Sequence, residues 1–258
     1  MKIPARRLLL LLLPSIAAVL LAAGFCQASE NAAVWRTGIG IDYFSRTISS
    51  DNNTRASKAS ATLVTAREEV ELRPGLAFDL AAGLSLSSFN GLAFSNLPIT
   101  IDYEAGAVSS LFVGAGFRAR LLRHGKLEIE GVGRFVYCLG STKGWTLEGF
   151  AVEGHATGRP AWIEATLGPR ISLVAGGKLV PFLTISGNWF SGSFKMTETL
   201  GDLSGSEKKT VRAKGFIEIS LGARYQVSKR ACFTAEAGFL PRSGGVDGAL
   251  SAGLTYRF

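Results

Sequence analysis

Apolar and polar residues alternate with a period of two through most of this chain. In Val211 to Val227 the odd positions are Val211, Ala213, Gly215, Ile217, Ile219, Leu221, Ala223, Tyr225 and Val227, while the even ones include Arg212, Lys214, Glu218, Ser220, Arg224 and Gln226. Successive side chains of a strand point to opposite faces, whereas a helix would scatter these charges around its circumference. The same split appears in Leu127 to Gly140, where Leu127, Ile129, Phe135, Tyr137 and Leu139 oppose Glu128, Glu130, Arg134 and Cys138. In Ala161 to Ala175, Ile163, Ala165, Leu167, Ile171 and Leu173 oppose Glu164, Thr166, Arg170 and Ser172. Each stretch predicts a strand with one apolar and one polar face.

The breaks between these runs set the strand count. Short turn-like interruptions fall at Phe78-Asp79, Arg123-His124-Gly125-Lys126, Gly176-Gly177-Lys178 and Ser228-Lys229-Arg230, with Arg73-Pro74-Gly75 as an alternative to the first. Longer segments at 48–59, 90–104, 142–158, 192–210 and 241–247 lie between them. Short turns alternating with long loops match a membrane barrel whose two sets of connections face opposite compartments. Four internal short turns predict ten strands, at 33–47, 60–77, 80–89, 105–122, 127–141, 159–175, 179–191, 211–227, 231–240 and 249–258. Eight and twelve strands are the alternatives, and an even number with both chain ends on one side is the firmer expectation.

Hydrophobic residues make up 47% of the chain, yet beyond the N-terminal region no run of about 18 apolar residues reads as a spanning helix. A bilayer leaves only helices or a closed barrel to satisfy the backbone. The expected fold is therefore all-β: an antiparallel, up-and-down transmembrane β-barrel whose apolar face meets lipid and whose polar face lines the lumen.

The N-terminus has a different pattern. Lys2, Arg6 and Arg7 precede an apolar run from Leu8 to Gly24, then Cys26-Gln27-Ala28, the layout of a secretory signal cleaved after Ala28. The expected organisation is thus a cleaved signal at 1–28 and one barrel domain at 29–258. Cleavage would remove three of the 28 basic residues and none of the 20 acidic ones, leaving a modest surplus of 25 over 20. No Lys/Arg cluster interleaved with aromatics suggests nucleic acid. Cys138 and Cys232 are too few for a disulfide framework.

The last eight residues, Ser251-Ala252-Gly253-Leu254-Thr255-Tyr256-Arg257-Phe258, resemble the C-terminal signature of Gram-negative outer-membrane β-barrel proteins. The resemblance rests on Ser251, Gly253, Tyr256 and the terminal Phe258. It implies an outer-membrane location, lipid as the surrounding partner, and recognition of this strand by the barrel-assembly machinery, with Gly253, Tyr256 and Phe258 as the assembly signal. Trp35, Tyr43, Tyr137, Trp189 and Tyr225 are candidates for the aromatic girdles at the membrane surfaces.

Carrying the alternation around the barrel predicts a crowded, charged lumen. Its candidate network is Arg118, Arg120, Glu128, Glu130, Arg134, Glu164, Arg170, Arg212, Glu218 and Arg224, with Arg36, Asp42, Arg46, Arg67, Glu69, Glu71, Arg73, Lys214, Glu236 and Arg257 on the same inward face. Cross-strand ion pairing in a narrow barrel is the structural reading, and a polar passage with a mild anion preference is the functional one.

Catalytic chemistry is not expected. Omptin proteases also have ten strands, but resemblance to them would need a His and several Asp gathered at the outer rim. Here His124 lies in a predicted short turn and His155 in a long loop, while Asp51, Asp102, Asp202 and Asp247 are spread over other loops. No nucleophile pair, metal-ligand cluster, P-loop or dinucleotide fingerprint is present, and no cofactor is expected. Two loops are less polar than solvated connections usually are: 90–104 with Leu92, Phe94, Leu97, Ile99, Ile101 and Tyr103, and 142–158 with Trp145, Leu147, Phe150 and Val152. Both are expected to extend strands or fold over the mouth. The functional expectation is a non-enzymatic barrel, structural or admitting small solutes; a surface binding protein or adhesin acting through its loops is the alternative, and an enzyme at the rim the third.

Overall fold

The computed structural model describes residues 33–50, 57–99, 101–103, 106–149 and 152–258, the segment 101–103 by its backbone alone. The expected export segment 1–28 lies outside these residues, as do Asp51 and Phe150.

Ten strands form a closed antiparallel ring. In chain order they are β1 (Val34–Ser50), β2 (Ser57–Arg73), β3 (Leu76–Asn90), β6 (Val108–His124), β7 (Leu127–Cys138), β9 (Gly154–Leu173), β10 (Leu179–Leu200), β12 (Ile217–Gln226), β13 (Ala231–Arg242) and β14 (Gly245–Arg257). The chain's last strand closes on its first, from Arg36 opposite Arg257 to Ser45 opposite Gly248. Closure pairs every strand on both sides, removing the open edges a bilayer could not satisfy. The remaining strands are β4 (Leu92–Phe94) paired with β5 (Ile101–Tyr103), β8 (Lys143–Leu147) added to β9, and β11 (Leu203–Ala213).

The four short turns and both described ends of the ring lie at one end. Three turns fall where the sequence placed them. The first does not: Phe78 and Asp79 sit inside β3, and the chain turns instead at Pro74-Gly75, with Arg73 opposite Leu76. Proline pre-sets its own φ and Gly75 takes a φ of +88°, a combination suited to a two-residue turn and unavailable to Phe-Asp.

At the other end the strands continue past the ring, and the barrel narrows. Strand β10 pairs with β9 along its length, but it pairs with β12 only from Leu179 to Gly187 and with β11 from Ser191 to Leu200. Strand β11 then joins β1 directly, Ile48–Ser50 opposite Val211–Ala213, bypassing β12, β13 and β14. Below this junction the short β13–β14 hairpin is held by Asp247, which accepts from Thr47 N (2.7 Å), Thr47 Oγ1 (2.8 Å) and Arg242 Nε (3.1 Å).

This step splits the expected single strand 211–227. Lys214 to Phe216 leave the ladder, with Lys214 N bonded to Thr47 O and Phe216 O accepting from Asn188 N. Inward positions are odd above the break (Glu207, Lys209, Val211) and even below it (Glu218, Ser220, Arg224). A slip of one residue sends every following side chain to the opposite face.

Outward side chains form the apolar band: Ile39, Ile41, Leu80, Leu111, Leu167, Leu221 and Leu250 are all exposed. Tyr225, Phe233, Tyr256 and Phe258 ring its short-turn end, and Tyr43, Tyr137, Trp189, Phe216 and Phe239 its other end. Trp35 is only partly exposed. Amphipathic rings favour the level where one edge meets lipid and the other water.

Candidate functional site: a two-tier lumen

The lumen near the short turns is an ion-pair network. Arg36 bonds Glu69 and Glu71, the latter at 2.5 Å, and Arg118 bonds Glu69 at 3.1 Å. Arg120 meets Glu128 at 3.1 Å, Arg224 meets Glu130 at 3.1 Å, and Arg134 meets Asp42 at 2.7 Å. Arg170 bonds Glu236 at 2.9 Å with its guanidinium carbon 4.1 Å from the ring centroid of Phe182. Nearly every predicted lumen residue is therefore brought together. Asp79, left in a turn by the sequence reading, belongs here too and pairs with Arg67 at 3.3 Å.

Two assignments are corrected. Arg212 and Lys214 are exposed on the outer surface, because the break at 214–216 reverses the inward parity on which their placement depended. Arg73 and Arg257 are exposed at the short-turn rim instead of lying within the network.

The top of this tier is Arg46, 1% exposed. Its guanidinium donates to Glu164 (3.1 Å) and Glu218 (3.2 Å), and Asn188 Nδ2 donates to the same two carboxylates at 3.0 and 2.7 Å. Two carboxylates held this close and out of water need such donors, since an unpaired buried charge is costly. A cavity of about 690 Å³ runs from Lys178, Lys229 and Arg230 at the short turns up to Phe44, Leu63 and Val136, and ends there.

Above Arg46 the same inward positions change chemistry. Phe44, Trp162 and Phe190 interlock at centroid distances of 5.2, 5.6 and 5.8 Å, and the Trp162 indole N–H donates to Ser87 Oγ at 2.9 Å. Phe89, Phe112, Val136, Cys138, Phe194, Met196 and Val211 continue the cluster, all buried. Narrowing brings these side chains into contact across the axis. Sequence reasoning missed this tier although its signal was present: Phe44 shares parity with Asp42, Phe112 with Arg118, and Trp162 and Phe190 with Glu164 and Asn188. A uniformly polar lumen had been assumed.

The segment 91–99 folds inward and completes the plug. Leu92 and Phe94 are fully buried, and the Phe94 ring lies 5.6 Å from that of Phe194. Two carboxylates hold its backbone: Glu207 Oε2 accepts from Asn96 N (2.9 Å) and Glu198 Oε2 from Ile99 N (3.3 Å). Glu207 also pairs with Lys209 at 2.6 Å. Burial would raise the Glu207 carboxyl, but the Lys209 ammonium and the N–H groups of Asn96 and Ser95 outweigh it and hold the group below its ordinary value. Strand β8 instead extends the wall by pairing with β9, with Trp145 and Leu147 packed on the cluster.

The histidines lie apart from this arrangement and from each other. His124 ends β6 at the short turns, while His155 is exposed on upper β9 and contacts Glu153 at 3.1 Å. The assembly residues are on the last strand, where Gly253 lies opposite Gly40 on β1 and the rings of Tyr256 and Phe258 contact at 5.4 Å on the lipid side.

A closed ring with a lipid-facing apolar band, two aromatic girdles and inward charge defines a transmembrane β-barrel of the Gram-negative outer membrane, its short turns periplasmic and its long extensions outside. No family model matches the chain, and no curated protein matches it. Among solved structures it is similar to the outer-membrane protease OmpT of Escherichia coli, with 12% identity and a TM-score of 0.47, covering 91% of this chain and 99% of that one. It is also similar to the translocator domain of the autotransporter NalP from Neisseria meningitidis, with 10% identity and a TM-score of 0.45, covering 95% and 96%. A third similarity is to Ail, the attachment invasion locus protein of Yersinia pestis, with 11% identity and a TM-score of 0.32, covering 86% and 98%. Likenesses at this level do not choose among functions, and the class rests on the ring and its exterior.

Proposed function

We propose that the protein is a non-enzymatic outer-membrane barrel whose lumen is closed toward the exterior, a structural scaffold rather than an open pore. The observation that carries this reading is the packed apolar plug of Phe44, Trp162, Phe190, Phe94 and Phe194 lying across the axis above the ion-pair network. Passage of a small solute would require the segment 91–99 to leave the lumen and expose those rings. Single-channel recording of the refolded protein in planar bilayers tests it: small or absent conductance is expected, and a large, stable conductance would overturn the closed-scaffold reading. Turnover of lipid A or peptide by the purified barrel would overturn its non-enzymatic part.

A second reading, surface binding, is favoured by one feature of the extracellular wall. Arg159, Lys195 and Lys208 lie directly opposite one another on β9, β10 and β11, all exposed. Like charges in register are destabilising, so such a row suits a surface that meets an anion.

A further inference from the structure

All four periplasmic turns carry cations and no carboxylate. Arg123, Lys178, Lys229 and Arg230, together with Arg257 at the end of β14, line the mouth of the periplasmic cavity. None of these five has a carboxylate partner among the described residues, whereas the arginines deeper in the lumen are engaged by Asp or Glu. Arg73 and Lys126 add exposed charge to the first two turns. The extracellular end differs, since Glu148, Glu153 and Asp202 are interspersed with its basic residues.

An annulus of one sign around a low-dielectric wall focuses its field on the axis and raises the local concentration of oppositely charged solutes. Arg forks match phosphate geometry, and flexible Lys arms add point charge. Because the inner arginines are already committed, binding capacity belongs to the rim, and the plug above makes the cavity a dead end. We propose that the periplasmic mouth is a binding vestibule for a multiply charged, phosphate-bearing anion, supplied either as a free oligophosphate compound or as the headgroup of an inner-leaflet lipid. This goes beyond the scaffold reading and does not depend on closure, since an open barrel with this rim would still bind.

The test uses the mature barrel refolded in phosphatidylcholine nanodiscs, with inorganic tripolyphosphate titrated by calorimetry at low ionic strength. One saturable site, weakened by added salt, is expected. The K178Q/K229Q/R230Q variant, altered only in turns, should lose affinity by roughly tenfold or more. Its folding is checked by circular dichroism and heat-modifiable mobility. An R212Q/K214Q variant, altered on the outer surface, should bind as the parent does. A parallel arm measures thermal stability with and without cardiolipin, whose headgroup carries two phosphates, in the bilayer. Stabilisation by that lipid that disappears in the triple variant, without tripolyphosphate binding, identifies the lipid headgroup as the source. Tripolyphosphate binding with no lipid effect identifies the free compound. If neither probe distinguishes the triple variant from the parent, the vestibule is not a phosphate site.

Discussion

The two tiers of the lumen are built on the same strands, with the same inward alternation, and yet they solve opposite problems. The periplasmic tier is wide, reached by solvent from the turns, and stabilised by ion pairs of which several are part-exposed. The exterior tier is narrower because β11 bypasses three strands to reach β1, and it is filled by aromatic side chains with little exposure. Width decides the chemistry: where the walls are close, apolar side chains meet and exclude water, and where they are far apart only long charged side chains span the gap. The boundary falls at Arg46, whose guanidinium carbon lies 5.3 Å from the ring centroid of Phe44 while its nitrogens bond the carboxylates below.

If the upper tier is a packed core, truncating its centre should have the largest effect. Trp162 is 2% exposed, contacts two rings, and hydrogen-bonds Ser87. Replacement by Ala should cost about 3–5 kcal/mol, as for other large core truncations. Guanidinium unfolding in lipid vesicles measures it, and a loss within error of zero would mean the rings do not form a dry core.

The wet tier should respond less to a comparable deletion. Removing one partner of a dry ion pair costs about 3–5 kcal/mol, but solvent reaching the abandoned carboxylate reduces the penalty. Arg170 is 18% exposed at its side chain and pairs with Glu236, so Arg170→Ala should cost about 1–3 kcal/mol with conductance unchanged. A loss equal to that of Trp162→Ala would erase the distinction between the tiers. Altered ion conductance would show that the plug does not seal.

The tiers also differ in how far they could be read from sequence. Alternation around Glu128, Glu130, Arg134, Glu164 and Arg170 points these side chains inward from local pattern alone, and in the structure they form ion pairs across the lumen. The ten-strand ring followed from the turns, although Pro74-Gly75 prevailed over Phe78-Asp79 through backbone conformational preference. What stayed hidden was non-local. Arg212 and Lys214 are placed inward by an alternation over Val211 to Val227 whose one fault is apolar Phe216 on the polar parity, and the slip at 214–216 arises where β11 leaves the ring to join β1. The aromatic plug was hidden for a related reason: parity alone marks Phe44 and Trp162 as inward but does not say that the barrel narrows at their height.

The smallest effect concerns the fastening of the plug, and it is the one that pH controls. Glu207 binds the Asn96 N–H and the Lys209 ammonium, and both contacts favour its charged form over the protonated one. A carboxyl whose folded-state pKa is depressed contributes stability that is fully present above its unfolded value, near 4.5, and is lost as pH falls through the lower folded value. Segment 91–99 should therefore stay fastened at neutral pH and loosen only in acid. Hydrogen exchange at the Asn96 amide, corrected for its intrinsic pH dependence, reads the contact directly. In the parent protein, protection should begin to fall only below about pH 4.5. Glu207→Gln keeps an acceptor for Asn96 but abolishes the charge, so it should lose about 1 kcal/mol of local protection at pH 7 and show a smaller acid step, with Glu198 the carboxylate that still holds the segment. The rings beneath are held by packing that does not titrate, so the Trp162 indole should stay protected in both proteins across this range. An acid step of equal size in Glu207→Gln would assign the fastening to another group. Simultaneous loss of Trp162 protection would mean that the segment and the plug open as one unit.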